Sequence, residues 1–430
     1  MGRKIDEYFS PPPDYEETIK EVLSKEIDDD ETSGILSRLS NYILEISQDC
    51  PLFCTYCVYS GDYQYYRPHG SKGMSLQTAQ KAIDFFYNQT QSPLRNERKP
   101  RLMISFYGGE SLLLFDIVMN SVAYAKKHRN VERVSLQFSL STNGVLLTPE
   151  VVKTLVENQI AVAISLDGPE SEHDRFRVFK NGRGSFSKIM ENVTHIKREY
   201  PNYYENSVSF IATLHPFHDL KKIEEFFLSH ETLFKPEKVR VNDLKTASLT
   251  NTEWLEAREE LLMQKKTKLK KDRWFYKKIF CEPIENAIGE KETKFLSTMK
   301  NFTRSCFPGS ERLLIDPDGN FHICEKINRY FPIGNLDQGF DIQKIKSLFQ
   351  QWRKKTLELE CWKCLILYFC SFCYAGAGVD GTLVIKKEKC RELEEKLSER
   401  IYDYLMIKEE EDEKIISNHD LDVPGFLDSL

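Results

Sequence analysis

The chain has 430 residues with a net charge of −6, a hydrophobic share of 40% and a charged share of 29%. These values are typical of a soluble globular protein of two or three domains, and the acidic balance gives no argument for a nucleic-acid partner. No apolar run approaches the ~20 residues that span a bilayer, so we expect no membrane partner. The charged, proline-interrupted N-terminus is unlike a secretory signal, which predicts a cytoplasmic protein.

Residues 1–40 are interpreted as an N-terminal extension. Apolar residues at helical spacing predict a helix over 15–24. The proline run at 11–13 and the acidic run at 28–30 favour a mobile tail for at least part of this extension.

From residue 41 to residue 245, β-type segments alternate with helical patterns. The predicted strands are 42–46, 101–107, 134–141, 160–166, 207–214 and 238–241. The predicted helices are 74–89, 111–129, 149–158, 186–198 and 220–228. Such alternation predicts a parallel sheet with right-handed crossovers. A full (β/α)8 barrel needs two more units, so the pattern favours a partial (β/α)6 TIM-like barrel of the α/β class.

Three cysteines follow the first predicted strand at the spacing C-x3-C-x2-C, namely Cys50, Cys54 and Cys57. Three thiolates at this spacing supply one ligand fewer than a cubane iron–sulfur cluster takes. The fourth iron would then be open, which is the mark of a reactive site. A zinc knuckle is the alternative, but its nearest fourth ligand, His69, lies beyond an aromatic-rich run and is poorly placed.

Residues with binding chemistry follow the other predicted strands, where barrel enzymes carry their active sites. Gly108 and Gly109 let backbone approach a ligand, and Glu110 can accept from an ammonium group. A tight turn with a solvated glutamate explains these residues equally well. Asn143 lies in an Asn-Gly turn, which accounts for it almost as well as binding does. Ser165 ends the fourth strand and is followed by a further turn signal at 167–169.

Residues 246–302 are rich in lysine and glutamate and predict a helical linker. The basic run at 265–278, with aromatic residues inside it, resembles a nucleic-acid patch. Given the acidic residues around it, we favour a solvated helix face with an aromatic core stripe.

The region 303–392 forms a second, cysteine-rich α+β domain in our interpretation. Apolar segments flank Asp316-Pro317-Asp318-Gly319, which predicts a hairpin. Seven cysteines span the region: Cys306, Cys324, Cys361, Cys364, Cys370, Cys373 and Cys390. Two zinc ribbons and two iron–sulfur clusters both fit this order, and composition does not separate them. Residues 393–430 predict a helix followed by an acidic tail.

The first cysteine motif, with Tyr56 before its third cysteine, resembles the signature of the radical S-adenosylmethionine (radical SAM) superfamily. The resemblance implies a [4Fe–4S] cluster that binds S-adenosylmethionine (SAM) and generates a 5′-deoxyadenosyl radical. It places Tyr56 near the adenine, and the Gly108-Gly109-Glu110 motif at the methionyl amino group. In similar peptide- and sulfatase-modifying members, residues at the positions of Ser165 and Arg177 contact the ribose and the carboxylate. For Arg177 the alternative is a surface cation.

The later cysteines resemble the SPASM extension of radical SAM enzymes, which holds two auxiliary [4Fe–4S] clusters. The resemblance assigns Cys361, Cys364, Cys370 and Cys390 to an outer cluster, and Cys306, Cys324 and Cys373 to an inner one. The last pair is C-x2-C where the family often has C-x3-C, which shifts Cys373. The inner cluster lacks a clear fourth ligand, so either Cys281 reaches it or one iron is open to a substrate thiolate.

In sulfatase-maturing relatives an aspartate at the position of Glu325 acts as a base, which makes Glu325 a candidate base here. An exposed glutamate beside a ligand is the alternative. The motifs around 57–63 and 167–186 are most similar to maturases of cysteine-rich ribosomal peptides (RiPPs) of the thioether or ranthipeptide type.

That resemblance implies a precursor peptide or protein substrate and an electron donor such as flavodoxin or ferredoxin. Leader recognition would use another surface or a separate leader-binding protein, since residues 1–40 are too few for a winged-helix domain. The alternatives are a formylglycine-forming sulfatase maturase and, in another class, a non-catalytic zinc or iron–sulfur binding protein.

Overall fold

The structure, a computed structural model, describes residues 15–60, 68–92, 99–243, 274–282, 284–285, 305–326, 331–364 and a subset of 370–404. The predicted tails at 1–14 and 405–430, and the linker 246–302 apart from 274–282 and 284–285, lie outside the described residues. The chain forms two compact units. The barrel unit comprises 30–269 and 309–342, and the cysteine-rich unit comprises 1–29, 270–308 and 343–430.

Six parallel strands form the sheet of the barrel unit in sequential order, which confirms the α/β prediction. They are β1 (Asn41–Ser47), β2 (Arg101–Gly108), β3 (Ser135–Thr142), β4 (Ile160–Ser165), β5 (Val208–Leu214) and β6 (Val239–Asp243). Adjacent strands pair in parallel, with Ile104 of β2 opposite Phe138 of β3. Because parallel strands end at one edge, the loops that follow them are brought together there.

The helices in the described residues are α1 (Tyr15–Ser24), α2 (Asp29–Leu36), α3 (Leu76–Thr90), α4 (Phe115–Lys127), α5 (Pro149–Glu157), α6 (Glu170–His173), α7 (Phe186–Glu199), α8 (Pro201–Ser207), α9 (Leu220–Ser229), α10 (Trp274–Phe280) and α11 (Ile342–Glu358). Helices α3 to α9 lie between these strands along the chain, and the other helices flank them in sequence. Polar residues set their starts: Ser75 and Thr148 accept from the backbone N–H groups three residues on. None of these helices is long and apolar enough to cross a membrane.

The interpretation of 28–30 as part of a mobile tail was wrong for residues 29 and 30, because Asp29 and Asp30 open helix α2. Acidic residues stabilise a helix N-terminus through its dipole. Asp29 also accepts a hydrogen bond from Lys346 at 2.6 Å within the cysteine-rich unit. Helix α1, which was predicted from its apolar spacing, is present with the expected bounds.

A second set of strands extends the sheet beyond β1. These are β7 (Leu313–Ile315), β8 (Asn320–His322), β9 (Pro332–Asn335) and β10 (Gly339–Phe340). Strand β7 pairs parallel with β1, and β8 to β10 add antiparallel strands in the order β10-β9-β8-β7-β1. The predicted hairpin at 313–323 is therefore present, but it belongs to the barrel unit. The predicted boundary between the helical linker, which ends at residue 302, and the cysteine-rich domain, which begins at residue 303, stays a prediction.

The core of the barrel unit lies between the sheet and the helices around it. Tyr42 of β1 stacks on Phe86 of α3 with ring centroids 4.0 Å apart, and both side chains are fully buried. Each such aromatic contributes roughly 1.5–3 kcal/mol by leaving water. Polar side chains also occur along the strands, where the hydroxyls of Ser105 and Ser139 lie 2.8 Å apart. This framework fixes the strand ends that carry the site.

Candidate functional site

The cysteine loop, residues 50–57, is fixed by backbone pairing with the segment 176–179. The N–H of Phe53 donates to Val178 O at 2.7 Å, and the N–H of Thr55 donates to Phe176 O at 3.0 Å. A bridge between Leu52 and Phe179 completes this pairing. The loop between β1 and α3 is therefore anchored by the loop after β4, which limits how far its three thiols can move.

Each thiol of the cysteine loop lies beside an N–H donor of another residue. The contacts are Asn143 Nδ2 to Cys50 Sγ at 3.5 Å, Arg177 Nη1 to Cys54 Sγ at 3.9 Å and the Tyr59 backbone N–H to Cys57 Sγ at 3.5 Å. Hydrogen bonds to the sulfurs are among the features that tune iron–sulfur clusters. The donor set and its surroundings therefore fit three thiolates bound to a cluster.

Burial opposes ionisation of these thiols when no metal balances their charge. It raises the pKa of Cys50 to about 12, with a smaller contribution from the Glu110 carboxylate. It raises the pKa of Cys54 to about 11, although the Arg177 guanidinium acts in the opposite direction. Metal coordination deprotonates a thiol outright, so a bound cluster would offset this effect of burial.

The two glycines after β2 are required by the chain that leads into the cysteine loop. Gly108 has φ +139°, and a Cβ there would lie 2.2 Å from Ser47 O. A Cβ on Gly109 would lie 2.3 Å from Asp49 O. The N–H groups of Gly109 and Glu110 donate to Ser47 O at 2.6 Å and Asp49 O at 2.8 Å. These glycines therefore let β2 lie directly against the segment before Cys50.

Glu110 is fully buried, which excludes the solvated glutamate of a simple turn. Its carboxylate accepts from the N–H groups of Asn143 at 2.8 Å and Leu112 at 3.1 Å and from the Thr142 hydroxyl at 2.9 Å. Burial raises its pKa to about 7, although these donors favour the carboxylate. The structure thus brings Glu110 and Asn143 together beside Cys50, while contact of either residue with a cofactor stays a prediction.

Asp167 was missed as a site residue, because the Asp-Gly-Pro sequence was interpreted as a turn. It is fully buried and accepts from the Tyr56 hydroxyl and from Arg177 Nε, the latter at 2.7 Å. Burial has the largest single effect and would raise its pKa, but Arg177, His173 and His218 together outweigh burial and lower it. Arg177 is accordingly a buried cation in an ion pair, and the surface-cation alternative was wrong.

Ser165 ends β4 two residues before Asp167 and is half-buried. Two histidines that sequence reasoning did not single out pack nearby. His215 stacks on Phe176 with centroids 3.8 Å apart and lies 5.8 Å from the Tyr56 ring. Burial lowers the pKa of His215 to about 3 and also lowers that of His218. The lowered pKa values favour neutral imidazoles at pH 7, and His215 packs against Tyr56 while His218 packs against Phe176.

Glu325 follows β8 in the barrel unit, and its side chain is 12% exposed, which excludes the exposed alternative. Its Oε1 pairs with Arg312 Nη1 at 2.7 Å, whereas its Oε2 is buried and has no hydrogen-bond partner among the described residues. Burial raises the pKa of Tyr107 and is the largest effect. The negative charges of Tyr59, Glu325 and Cys57 raise it further. Glu325 therefore shares the neighbourhood of the cysteine loop.

Two sets of later cysteines affect the pKa of a neighbouring group within the cysteine-rich unit. Burial raises the pKa of Cys361 to about 12, with additional effects from Cys370, Cys390 and Cys364. These are the four thiols that the sequence assigns to the outer cluster. Burial raises the pKa of the Tyr374 phenol, and the charges of Cys306 and Cys373 raise it further. Cys324 follows β8 in the barrel unit, and Cys281 is buried near the end of α10.

No group of three His, Cys, Asp or Glu side chains in the described ranges is arranged to hold a single metal ion. The cluster-binding role of the ten cysteines thus stays a prediction. The question of Cys281 as a fourth ligand also stays open.

Comparisons with known proteins show what this chain is similar to. Residues 44–229 match the Radical SAM superfamily. The chain is 29% identical over 201 residues to the cysteine-type anaerobic sulfatase-maturating enzyme of Clostridium novyi, covering 46% of this chain and 50% of that protein. It is 26% identical over 180 residues to the radical SAM cyclopropyl synthase TigE of Paramaledivibacter caminithermalis, covering 38% of this chain and 37% of that protein.

This chain spans about half the length of the sulfatase-maturating relative, and less of the cyclopropyl synthase. Its fold resembles the solved structure of native anSMEcpe with bound AdoMet. The TM-score is 0.57 at 18% identity, over 86% of this chain and 98% of that chain. At this identity the likeness supports the fold alone.

Proposed function

The chain carries a radical SAM domain over residues 44–229, and from this premise we propose that it is an enzyme that modifies a residue of a peptide or protein. The domain implies one [4Fe–4S] cluster and SAM. When bound, the SAM-binding cluster would supply the electron that cleaves SAM into methionine and a 5′-deoxyadenosyl radical. A cluster would also take up the electron that the oxidised substrate releases.

One observation carries the proposal: three cysteine sulfurs on one loop at the strand ends, each with its own N–H donor. Cys50, Cys54 and Cys57 would hold the SAM-binding cluster. The residues that would bind SAM beside it are Tyr56, Gly108, Gly109, Glu110, Asn143, Ser165 and Arg177. Within the loop Cys50 and Tyr56 are buried, whereas Phe53 is exposed.

We further propose that the product is a thioether in a ribosomally made peptide. A substrate carbon loses a hydrogen atom to the 5′-deoxyadenosyl radical, and a substrate cysteine loses its thiol proton. The sulfur–carbon bond then forms with release of one electron. Glu325 is the proposed acceptor of the thiol proton, because its Oε2 is buried and unpartnered among the described residues while Arg312 holds its other oxygen.

In this SPASM-type proposal the seven later cysteines would hold two auxiliary [4Fe–4S] clusters. The grouping of Cys361 with Cys364, Cys370 and Cys390 supports the outer one. A flavodoxin or ferredoxin would deliver the electrons, and a separate protein would present the leader of the substrate. We propose the cytoplasm as the location, since it maintains the reducing conditions that thiolate ligands need.

Formylglycine formation is the second candidate. It is favoured by the similarity to the sulfatase-maturating enzyme of Clostridium novyi. In that reaction a cysteine or serine side chain of a sulfatase is oxidised to an aldehyde. A zinc or iron–sulfur protein without catalysis is the third candidate, and it belongs to a different functional class.

Anaerobic reconstitution separates these candidates. The protein is loaded with iron and sulfide and incubated with SAM, dithionite and either a cysteine-rich precursor peptide or a sulfatase-derived peptide. Deoxyadenosine with loss of two hydrogen atoms and one alkylatable thiol from the precursor supports a thioether. An aldehyde on the sulfatase peptide instead supports the second candidate. Both enzymatic proposals would be refuted if the wild-type chain bound zinc and formed no deoxyadenosine, as a Cys54→Ala control is expected to do.

A further inference from the structure

Asp167 lies at the centre of a buried network that joins the cysteine loop, the segment after β4 and strand β5. Its Oδ2 accepts from Arg177 Nε at 2.7 Å and from the Tyr56 hydroxyl. Its Oδ1 accepts from the backbone N–H of Thr213 at 2.9 Å, and its own N–H donates to His173 Nδ1 at 3.2 Å. Both carboxylate oxygens are therefore engaged, and the side chain is fully buried.

The two side chains that Asp167 holds both face the cysteine loop. Tyr56 is part of that loop, between the second and third cysteines. The Arg177 guanidinium lies 5.2 Å from the centroid of the Tyr56 ring, and its Nη1 lies 3.9 Å from Cys54 Sγ. One carboxylate thus sets the position of an aromatic ring and a cation at the same cysteine.

Stability alone is a weak reason for such a network. A buried ion pair loses hydration, and well-packed apolar residues of the same volume are often as stable. Two hydrogen bonds to one oxygen instead specify orientation, because the ring and the guanidinium must both point at Asp167. Orientation of this kind is what a bound cofactor requires before it arrives.

We propose that Asp167 is a positioning residue, which preorganises Tyr56 and Arg177 on the SAM-binding side of the cysteine loop. The inference rests on the proposed function, in which this loop binds the cluster and SAM. It assigns a role to a residue that contacts neither group, and it predicts that Asp167 acts through its two partners.

The test uses the full chain, anaerobically reconstituted, with three single variants and the Asp167→Asn/Tyr56→Phe double variant. Asp167→Asn keeps the size of the side chain but removes its charge. Tyr56→Phe removes one hydroxyl and leaves the Asp167–Arg177 pair in place, so it reports on the network even where Asp167→Asn fails to fold. Asp174→Asn is the matched control, because Asp174 caps α7 through the N–H groups of Ser185 and Phe186, both at 2.8 Å.

Three readouts besides turnover are measured: the SAM dissociation constant by equilibrium dialysis, the EPR spectrum of the reduced cluster with and without SAM, and the thermal unfolding midpoint. We expect Asp167→Asn and Tyr56→Phe each to weaken SAM binding by about tenfold, the scale of one lost hydrogen bond to a charged group. Both should reduce the SAM-induced change in the EPR spectrum. The double variant should lose less than the product of the single losses, since the two side chains act as a unit.

Wild-type affinity in Asp167→Asn and Tyr56→Phe would overturn the inference, and so would an equal loss in Asp174→Asn. Multiplicative losses in the double variant would also overturn it, because they would make the two residues independent. A wild-type protein that binds no SAM would refute the proposed function itself, so the two failures are distinguishable.

Discussion

Replacing Gly109 with alanine tests whether the end of β2 must lie against the segment before Cys50. The φ angle of Gly109 is not positive, so its backbone conformation does not by itself exclude alanine. The obstacle is contact, because the new Cβ would lie 2.3 Å from Asp49 O and 2.8 Å from the Asp49 carbonyl carbon. Both neighbours are backbone atoms, which cannot rotate away as a flexible side chain can.

The size of the effect follows from these distances. An ordinary contact begins at 3.4 Å, so the two segments must separate by about 1 Å. The hydrogen bonds from Gly109 N to Ser47 O at 2.6 Å and from Glu110 N to Asp49 O at 2.8 Å would then exceed bonding range. Two lost bonds at about 1 kcal/mol each, with about 1–3 kcal/mol of overpacking strain, give about 3–5 kcal/mol.

Thermal unfolding by circular dichroism and iron content after reconstitution measure this effect. We expect Gly109→Ala to lower the unfolding midpoint by about 10 °C and to retain less iron. Gly34→Ala is the control, since a Cβ there meets nothing within 4 Å and the residue lies in α2. A Gly109→Ala protein with the midpoint and the iron content of Gly34→Ala would refute the reasoning.

Three further predictions concern single side chains. Glu325→Gln should slow peptide modification about 10²–10⁴-fold while deoxyadenosine still forms, because a proton acceptor is lost. Burial opposes ionisation of Asp316, but His322 and Asn320 outweigh it and lower its pKa from 3.8 to about 2. Its contribution of about 2 kcal/mol is therefore complete above pH 3.8 and lost as the pH falls toward 2, and Asp316→Asn should remove this dependence from the unfolding midpoint. Cys361→Ala should lose about four of about twelve irons yet still produce deoxyadenosine.

Each of these three predictions has a matched control variant. Glu311→Gln alters an exposed carboxylate near Arg312 in sequence, and an equal loss of product there would contradict the role of Glu325. Asp318→Asn changes a half-exposed carboxylate in the same turn and should leave the acid dependence intact. Cys57→Ala should abolish deoxyadenosine, and normal deoxyadenosine from it would contradict the assignment of the cysteine loop.

The sequence predicts the six-stranded barrel sheet because each strand is a long apolar segment bounded by turn residues and helical patterns. It predicts the hairpin at 313–323 from the Asp-Pro-Asp-Gly turn. It does not predict that β7 pairs with β1. A strand of three residues carries no periodicity, and which edge it joins is decided by packing across the whole unit.

The same contrast holds for the site. The cysteine loop is visible because the spacing of its cysteines is typical of metal binding, and Glu110 is visible because it follows a predicted strand end. Asp167 is not, since Asp-Gly-Pro is also a common turn and its partner Tyr56 lies 111 residues away. The burial of Glu325 is equally hidden, because it depends on Arg312 and on the position of β8 in the sheet.

The pairing of β1 with β7 has a consequence for how the chain is made. Tyr42 and Leu313 are partners although about 270 residues separate them, so β1 leaves the ribosome long before the strand that covers its edge. Until then its N–H and C=O groups on that side are open to pairing with another chain. A fragment that ends before residue 309 keeps this edge permanently open. We therefore expect such a fragment to self-associate, and the segment 309–342 to restore its solubility when supplied in the same polypeptide.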